Sequence, residues 1–310
     1  MKSPLAKMVP AVFGVGFAMI CLAQQEADPG FDSKVARPAY TTTHPRVLFD
    51  EAHNNFHTAT GRYKPFADLI TSDGYQVTPN KAKFSKGVLN GYTILAISNA
   101  LGAPAMNSPE AANAAFSEEE CDAVRDWVQA GGNLLLIADH APMGAANERL
   151  SLRFGVEMSK SFTADPVNHD NETDNEGFIT YNRDDGSLGD HAVTRGRDAN
   201  EKVSNVIVFT GQSLKGPEGS VAFLRLAATA VDVVPTPQGQ IGKTTSAAGR
   251  AQGVALKFGK GRVIVLGEAA MLSAQLAGPQ RMKFGMNRPG IDNHQLALNI
   301  MHWLSGLIGD

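Results

Sequence analysis

The sequence predicts an α/β domain built on a mostly parallel sheet. Three observations predict it. Short apolar runs alternate with helix-like stretches from Arg46 to about residue 155. The runs are apolar throughout, as strands buried on both faces are. The segments between them carry apolar residues at helical spacing. Strand–helix–strand alternation implies right-handed crossovers and hence parallel strands.

The elements follow in order. Residues 1–23 read as a signal peptide: Lys2 and Lys7 open it, Val12 to Leu22 is apolar, and Cys21-Leu22-Ala23 offers small residues for cleavage. A periplasmic or secreted protein without a membrane anchor is expected. A lipoprotein anchor is the weaker alternative, because Ile20 stands where a small residue is needed. Residues 24–45 carry Pro29, Pro38 and Pro45 and read as an extended leader. Residues 46–308 are expected to form one domain.

Arg46 to Asp50 suits a first strand, Gly61 to Asp73 a helix, Tyr75-Gln76-Val77 a second strand and Tyr92 to Ser98 a third. Ser117 opens the clearest helix, with Glu120 completing a capping box and Cys121, Val124, Trp127 and Val128 forming its apolar stripe. Gly131-Gly132 ends it. Asn133 to His140 is the next strand, and Ala145 to Phe154 the next helix. Residues 158–200 break the rhythm as a polar, acidic, Gly-rich excursion. Strands return at Val203 to Thr210 and Val221 to Leu226. Val254 to Phe258 and Arg262 to Leu266 flank Gly259-Lys260-Gly261 as an antiparallel hairpin at one edge. Asp292 opens the last helix, with Asp292 as N-cap and Gln295 at N3.

Charge narrows the partners. The chain has 28 basic and 31 acidic side chains, a net charge of −3. Losing Lys2 and Lys7 lowers −3 by two, to −5. Such a balance gives no footprint for nucleic acid. Cys121 is then the one remaining cysteine, which excludes an intramolecular disulfide and a cysteine-rich metal site.

In open α/β sheets, ligands bind outside the carboxyl ends of the strands. Four strands end there in polar residues: Asp50 to His57, Ser98-Asn99, Asp139-His140 and Gly267-Glu268. Glu51, His53, His57, Asp139, His140 and Glu268 are therefore the candidate acid–base groups, since imidazoles and carboxyls transfer protons near neutral pH. Asp50, Asn54, Asn55, Ser98, Asn99, Met271, Asn293 and His294 are the candidate ligand contacts. The set also has the residue types that bind a divalent ion, but no fixed-spacing zinc motif is present. Each residue has a plain alternative role: a loop brace for the Asn and His residues, a cap for Glu268 and Asp292. Asp170, Glu172, Asp174 and Glu176 alternate in the excursion. Asn175 and Tyr181 stand where a calcium hand needs Gly and Glu, so a solvated acidic loop is expected, with a calcium clip as the lesser alternative.

VLFDEAHNNFHT, GRYKPFADLITSDGY, GGNLLLIADHAPMGAAN, HAVTRG, GRVIVLGEAAM and DNHQLALNIMHWLSG together resemble the class I glutamine amidotransferase-like superfamily. Within it they resemble an exported bacterial group near the trehalose-utilisation (ThuA-like) proteins. The resemblance covers roughly residues 46–306. It implies a flavodoxin-like sheet with helices on both faces. It also implies a nucleophilic Cys after a central strand, where this chain has Ser98-Asn99. Glutaminase chemistry is therefore not expected. Relatives near the trehalose group make a carbohydrate the implied ligand.

Three functions stay open. The first is an exported hydrolase in which a histidine activates water, with or without a metal. The second is a binding protein for a small polar ligand. The third is a structural domain that has lost its site.

Overall fold

The computed structural model describes residues 25–236 and 241–309. The expected signal peptide, 1–23, lies outside the described residues. Five parallel strands form the centre: β1 (Arg46–Asp50), β2 (Gln76–Asn80), β3 (Ile94–Ser98), β4 (Asn133–Ile137) and, after the antiparallel β5 (Ala251–Phe258), β6 (Gly261–Leu266). Their spatial order is β2-β1-β3-β4-β6, continuing through β5 to Leu214–Lys215 and Glu157–Met158 in a 9-stranded sheet, with Val221–Arg225 also on β5. The parallel strands thus have the order of doubly wound, flavodoxin-like sheets. The hairpin supplies both the fifth parallel strand and the start of the antiparallel side.

Four helices cover the sheet: α1 (Lys64–Ser72), α2 (Glu118–Gln129), α3 (Met143–Ser151) and α4 (Asn293–Leu304). Successive strand residues point to opposite faces. Val47, Phe49, Ile94, Ala96, Leu135, Ile137, Ile264 and Leu266 accordingly pack with Phe66, Leu69 and Ile70 of α1 and Leu296, Ile300 and Trp303 of α4. Leu48, Leu95, Ile97, Leu134, Leu136, Val263 and Val265 pack with Cys121, Val124 and Val128 of α2 and Leu150 of α3. Both faces are dry, which is why these strands read as unbroken apolar runs.

The capping box at Ser117 forms as expected: the Glu120 amide donates to Ser117 Oγ and the Ser117 amide to Glu120 Oε2. Asp292 departs from expectation. It stands at the N-cap of α4 without bonding it, because its carboxylate accepts from the amides of Ser204 and Asn205.

The excursion is more structured than its composition suggests. Asn175–Asn182 is a strand between Asn205–Ile207 and His169–Asp170, and Phe162–Ala164 pairs with Val231–Pro235. The expected return at Val203 thus falls in a separate three-stranded sheet. The solvated acidic loop needs correcting at Asp170. That residue is 5% exposed, and its carboxylate accepts from Thr173 and from Arg288, 2.7 Å away. The leader also joins the fold, since Gln25–Ala27 pairs antiparallel with Ala274–Ala277. Among the described residues no helix is long and apolar enough to cross a membrane.

The start of β6 passes close under the end of α2. A Cβ on Gly261 would lie 2.0 Å from the Gly132 carbonyl oxygen and 2.4 Å from that of Val128. Backbone cannot give way as a side chain can. Gly261→Ala should destabilise the fold by about 1–3 kcal/mol or more, read as a lowered urea midpoint at unchanged slope.

Candidate functional site

Sheet register builds the site. Ile137 of β4 is level with Leu266 of β6 and with Ser98 of β3. Two residues beyond, Asp139 and Glu268 leave the sheet side by side. The loop after β1 then folds over these ends, with the Phe56 amide donating to the Asn99 carbonyl and the Leu101 amide to the His53 carbonyl.

Asp139 and Glu268 form a buried acid pair. Glu268 is fully buried and Asp139 is 8% exposed. Burial pushes the Asp139 carboxyl up to about 8, against opposing hydrogen bonds from the His140 amide, the Asn99 side chain and the Ala269 amide. Burial and the charge of Asp139 push Glu268 well up too, although the amides of Met271, Ala270 and Phe209 favour its ionised form. Two carboxyls so placed cannot both ionise at neutral pH, so the pair keeps a proton. Glu268 also caps a short turn, accepting from the Ala270 and Met271 amides at 2.5 and 2.8 Å.

Beside the pair stands His57. Its Nδ1 is 3.1 Å from Ser98 Oγ and 3.3 Å from Asn99 Nδ2, and its ring stacks on Tyr63 at 4.8 Å. Burial, then the charge of Arg62, lowers its pKa to about 3, so the ring is neutral. The Tyr63 hydroxyl donates to the Ala269 carbonyl oxygen at 2.5 Å. Asn99 holds a left-handed φ of 50°, which its short amide tolerates, and its Oδ1 accepts from the Asp139 amide.

His140 is half-buried and faces differently. Its Nδ1 is 2.8 Å from the Ala141 carbonyl oxygen, which makes Nδ1 the donor. The ring stacks on Phe162 at 4.2 Å. Burial lowers its pKa to about 4. Its Nε2 therefore carries a lone pair at neutral pH.

The acid–base candidates separate into two groups. Asp139, Glu268, His57 and His140 gather at the ends of β3, β4 and β6. His53 and Glu51 are engaged elsewhere. His53 lies between Phe84 and Phe116, with ring centroids 4.7 and 4.8 Å away. Its Nδ1 is 2.9 Å from both Asp50 oxygens and its Nε2 2.9 Å from Glu120 Oε1. Both nitrogens face acceptors, so both carry protons and the ring is cationic. Burial lowers its proton affinity, but the hydrogen bonds and charges of Asp50 and Glu120 outweigh that and raise its pKa. This clamp ties the β1 loop to α2. Glu51 accepts from the Ala59 amide and from Lys81 Nζ at 2.7 Å, so its carboxylate is spent on the loop.

The ligand-contact candidates divide similarly. Ser98 and Asn99 sit in the cluster, fully buried. Asp50 belongs to the His53 clamp. Asn55 braces that loop by donating to Asp50 Oδ2, and Asn54 by donating to the Leu101 carbonyl oxygen. Asn293 clamps Ile207, accepting from its amide and donating to its carbonyl oxygen. Met271 lies in the core. His294 packs on Phe31 of the leader, with centroids 6.0 Å apart. Sequence reasoning missed Tyr63 and Phe162, which only folding brings to the cluster. It read Glu120 as a cap alone.

Nucleophiles and metals find little support. Cys121 is buried on α2, and burial pushes its thiol up to about 12. Among the described residues no three His, Cys, Asp or Glu side chains converge to hold a metal ion. Asp50, His53 and Glu120 are instead bonded to one another.

No protein-family model matches the chain, and no curated protein sequence matches it. Solved structures do match. The fold is that of the mmIFT52 N-terminal domain. The two share 15% identity at a TM-score of 0.57, over 86% of this chain and 98% of that one. Also similar are a ThuA-like protein from Bacteroides uniformis (TM-score 0.41, 11% identity, 90% of this chain and 95% of that one) and a GMP synthase-like protein from Thermoplasma acidophilum (0.42, 11%, 86% and 97%). At these identities the likeness concerns the fold alone.

The His53 clamp makes a stability prediction. His53→Ala leaves Asp50 and Glu120 buried without their cation and should cost about 3–5 kcal/mol at pH 6. The wild-type pKa is raised on folding, so the clamp's contribution is complete below the unfolded value of about 6.5 and is lost as pH climbs through the folded one. The difference between wild type and variant, read by urea melts, should shrink from pH 6 to pH 9.

Proposed function

We propose that the chain is an exported protein that binds a small, uncharged, polar ligand at Asp139 and His140. The observation that carries this reading is a proton donor and a proton acceptor on consecutive residues at the strand carboxyl ends. Asp139 keeps its proton up to about pH 8 and can donate. His140 stays unprotonated down to about pH 4 and can accept through Nε2. Neither carries charge between those limits. A charged ligand would find no counter-charge on either residue and would lose hydration on entering. Hydroxyl groups, which both donate and accept, fit better. Phe162 adds an aromatic surface beside them. That the ligand is a carbohydrate, and that the protein is exported, rest on the sequence: the resemblance to ThuA-like proteins and the character of residues 1–23.

A second reading, hydrolysis, draws on the same adjacency. An acid that holds its proton and a neutral imidazole are the two partners that general acid–base catalysis needs. Water would have to be the nucleophile, since Ser98 is fully buried and Cys121 is packed in the core. Turnover of a bound sugar would favour this reading. Thermal stabilisation by the sugar without product favours binding alone.

The pH dependence follows from the two groups. Affinity for mono- and disaccharides, measured by calorimetry, should be level between about pH 5 and 7. It should fall above about pH 8 as Asp139 ionises, and below about pH 4 as His140 gains a proton. Asp139→Asn keeps an N–H donor that cannot ionise, so it should bind at pH 7 and lose the alkaline fall. His140→Ala should weaken binding at least about tenfold, the scale of one lost hydrogen bond in a buried site. If no sugar binds at any pH while the protein is folded, a domain without a working site is the better description.

A further inference from the structure

A cavity lies away from this edge. It measures about 390 Å³ and is bounded by strand Asn175–Asn182, the turn after it and the end of strand Val221–Arg225. None of Asp139, His140 or Phe162 lines it. Ile179, Tyr181 and Leu226 also line it, each almost wholly buried.

Three charged residues line it, and their situations differ. Asp165 is fully buried and satisfied: its carboxylate accepts from the amides of Val167 and Asn168, the Asn168 side chain and the Thr229 hydroxyl. Its charge is already answered by those donors. Arg225 and Asp185 are different. Arg225 donates through Nε to the Ala222 carbonyl oxygen, and among the described residues its guanidinium has no acidic partner. Asp185 accepts from the Ser187 amide, and among the described residues it has no basic partner. The two line one cavity without pairing with each other.

The guanidinium is also held in place. A Cβ on Gly189 would lie 3.2 Å from Arg225 Cζ and Nε, so the absent side chain leaves room for the planar group against the backbone. With Nε fixed, the two terminal nitrogens form a fork suited to a carboxylate. An opposite charge waits at Asp185 on the same cavity.

We infer that this cavity binds a small zwitterion of the α-amino acid class, its carboxylate on Arg225 and its ammonium on Asp185. An anion alone would leave Asp185 unanswered and an amine alone would leave Arg225 so. A zwitterion answers both, and the cavity is of a size used for small ligands.

The test is a thermal-shift series on the full chain at about 10 mM ligand. The probes are a panel of α-amino acids that includes L-leucine, with 4-methylpentanoate as its carboxylate-only analogue and 3-methylbutan-1-amine as its amine-only analogue. At least one amino acid of the panel should raise the melting temperature by at least about 2 °C. Each analogue should bind at least about tenfold more weakly, one lost charge-assisted contact. Arg225→Gln and Asp185→Asn alter exposed side chains, so both should melt normally without ligand and lose the shift. Three results would overturn the proposal: no amino acid in the panel raises the melting temperature, 4-methylpentanoate binds as tightly as leucine, or both variants keep the full shift.

Discussion

Two carboxyl groups buried level with each other set the character of this sheet edge. Parallel pairing of β4 with β6 leaves no freedom in the matter: Ile137 lies beside Leu266, so Asp139 and Glu268 leave the sheet together. Burial opposes charge on either one, and each opposes charge on the other. At least one proton stays. The surroundings add no charge of their own, for His57 and His140 are both held unprotonated by burial. Asn99, Ser98 and Tyr63 supply the remaining hydrogen bonds without adding charge.

The other half of the edge is built on the opposite principle. At the end of β1 a cationic His53 is held between two carboxylates and two aromatic rings. Doubly wound sheets place their ligands where strand order reverses, here between β1 and β3. The clamp fills that place with a satisfied ion network and fastens the β1 loop across it. Groups open to chemistry are thereby displaced toward β4 and β6, where Asp139 and His140 retain accessible surface. One half of the rim is a charged network that locks the loop, and the other holds Asp139 and His140 nearer solvent.

Much of the scaffold was legible in the sequence. Apolar runs such as Ile94–Ser98 and Asn133–Ile137 are buried on both faces and so carry no alternation to confuse their reading. Ser117 and Glu120 marked a helix start because capping is local chemistry. Strand ends rich in polar residues marked the edge where Asp139, Glu268, His57 and His140 gather. What could not be read was pairing across the chain. Glu120 caps its own helix with one oxygen and grips His53 with the other, 67 residues away. Asp292 has the sequence of a cap but spends its carboxylate on Ser204 and Asn205. Residues 158–200 look solvated because their strands alternate polar and apolar side chains in small antiparallel sheets, where only one face is dry. Phe162 and Tyr63 reach the cluster only through tertiary folding, and no spacing announces them.

The proton on the acid pair is the point on which this account turns, and it can be observed directly. Carbon-13 NMR of aspartate-labelled protein, with Asp139 assigned through the Asp139→Asn spectrum, follows that carboxyl through a pH titration. A midpoint near 8 is predicted. A midpoint in the ordinary aspartate range, near about 4, would mean that Asp139 is ionised at neutral pH and has no proton to donate.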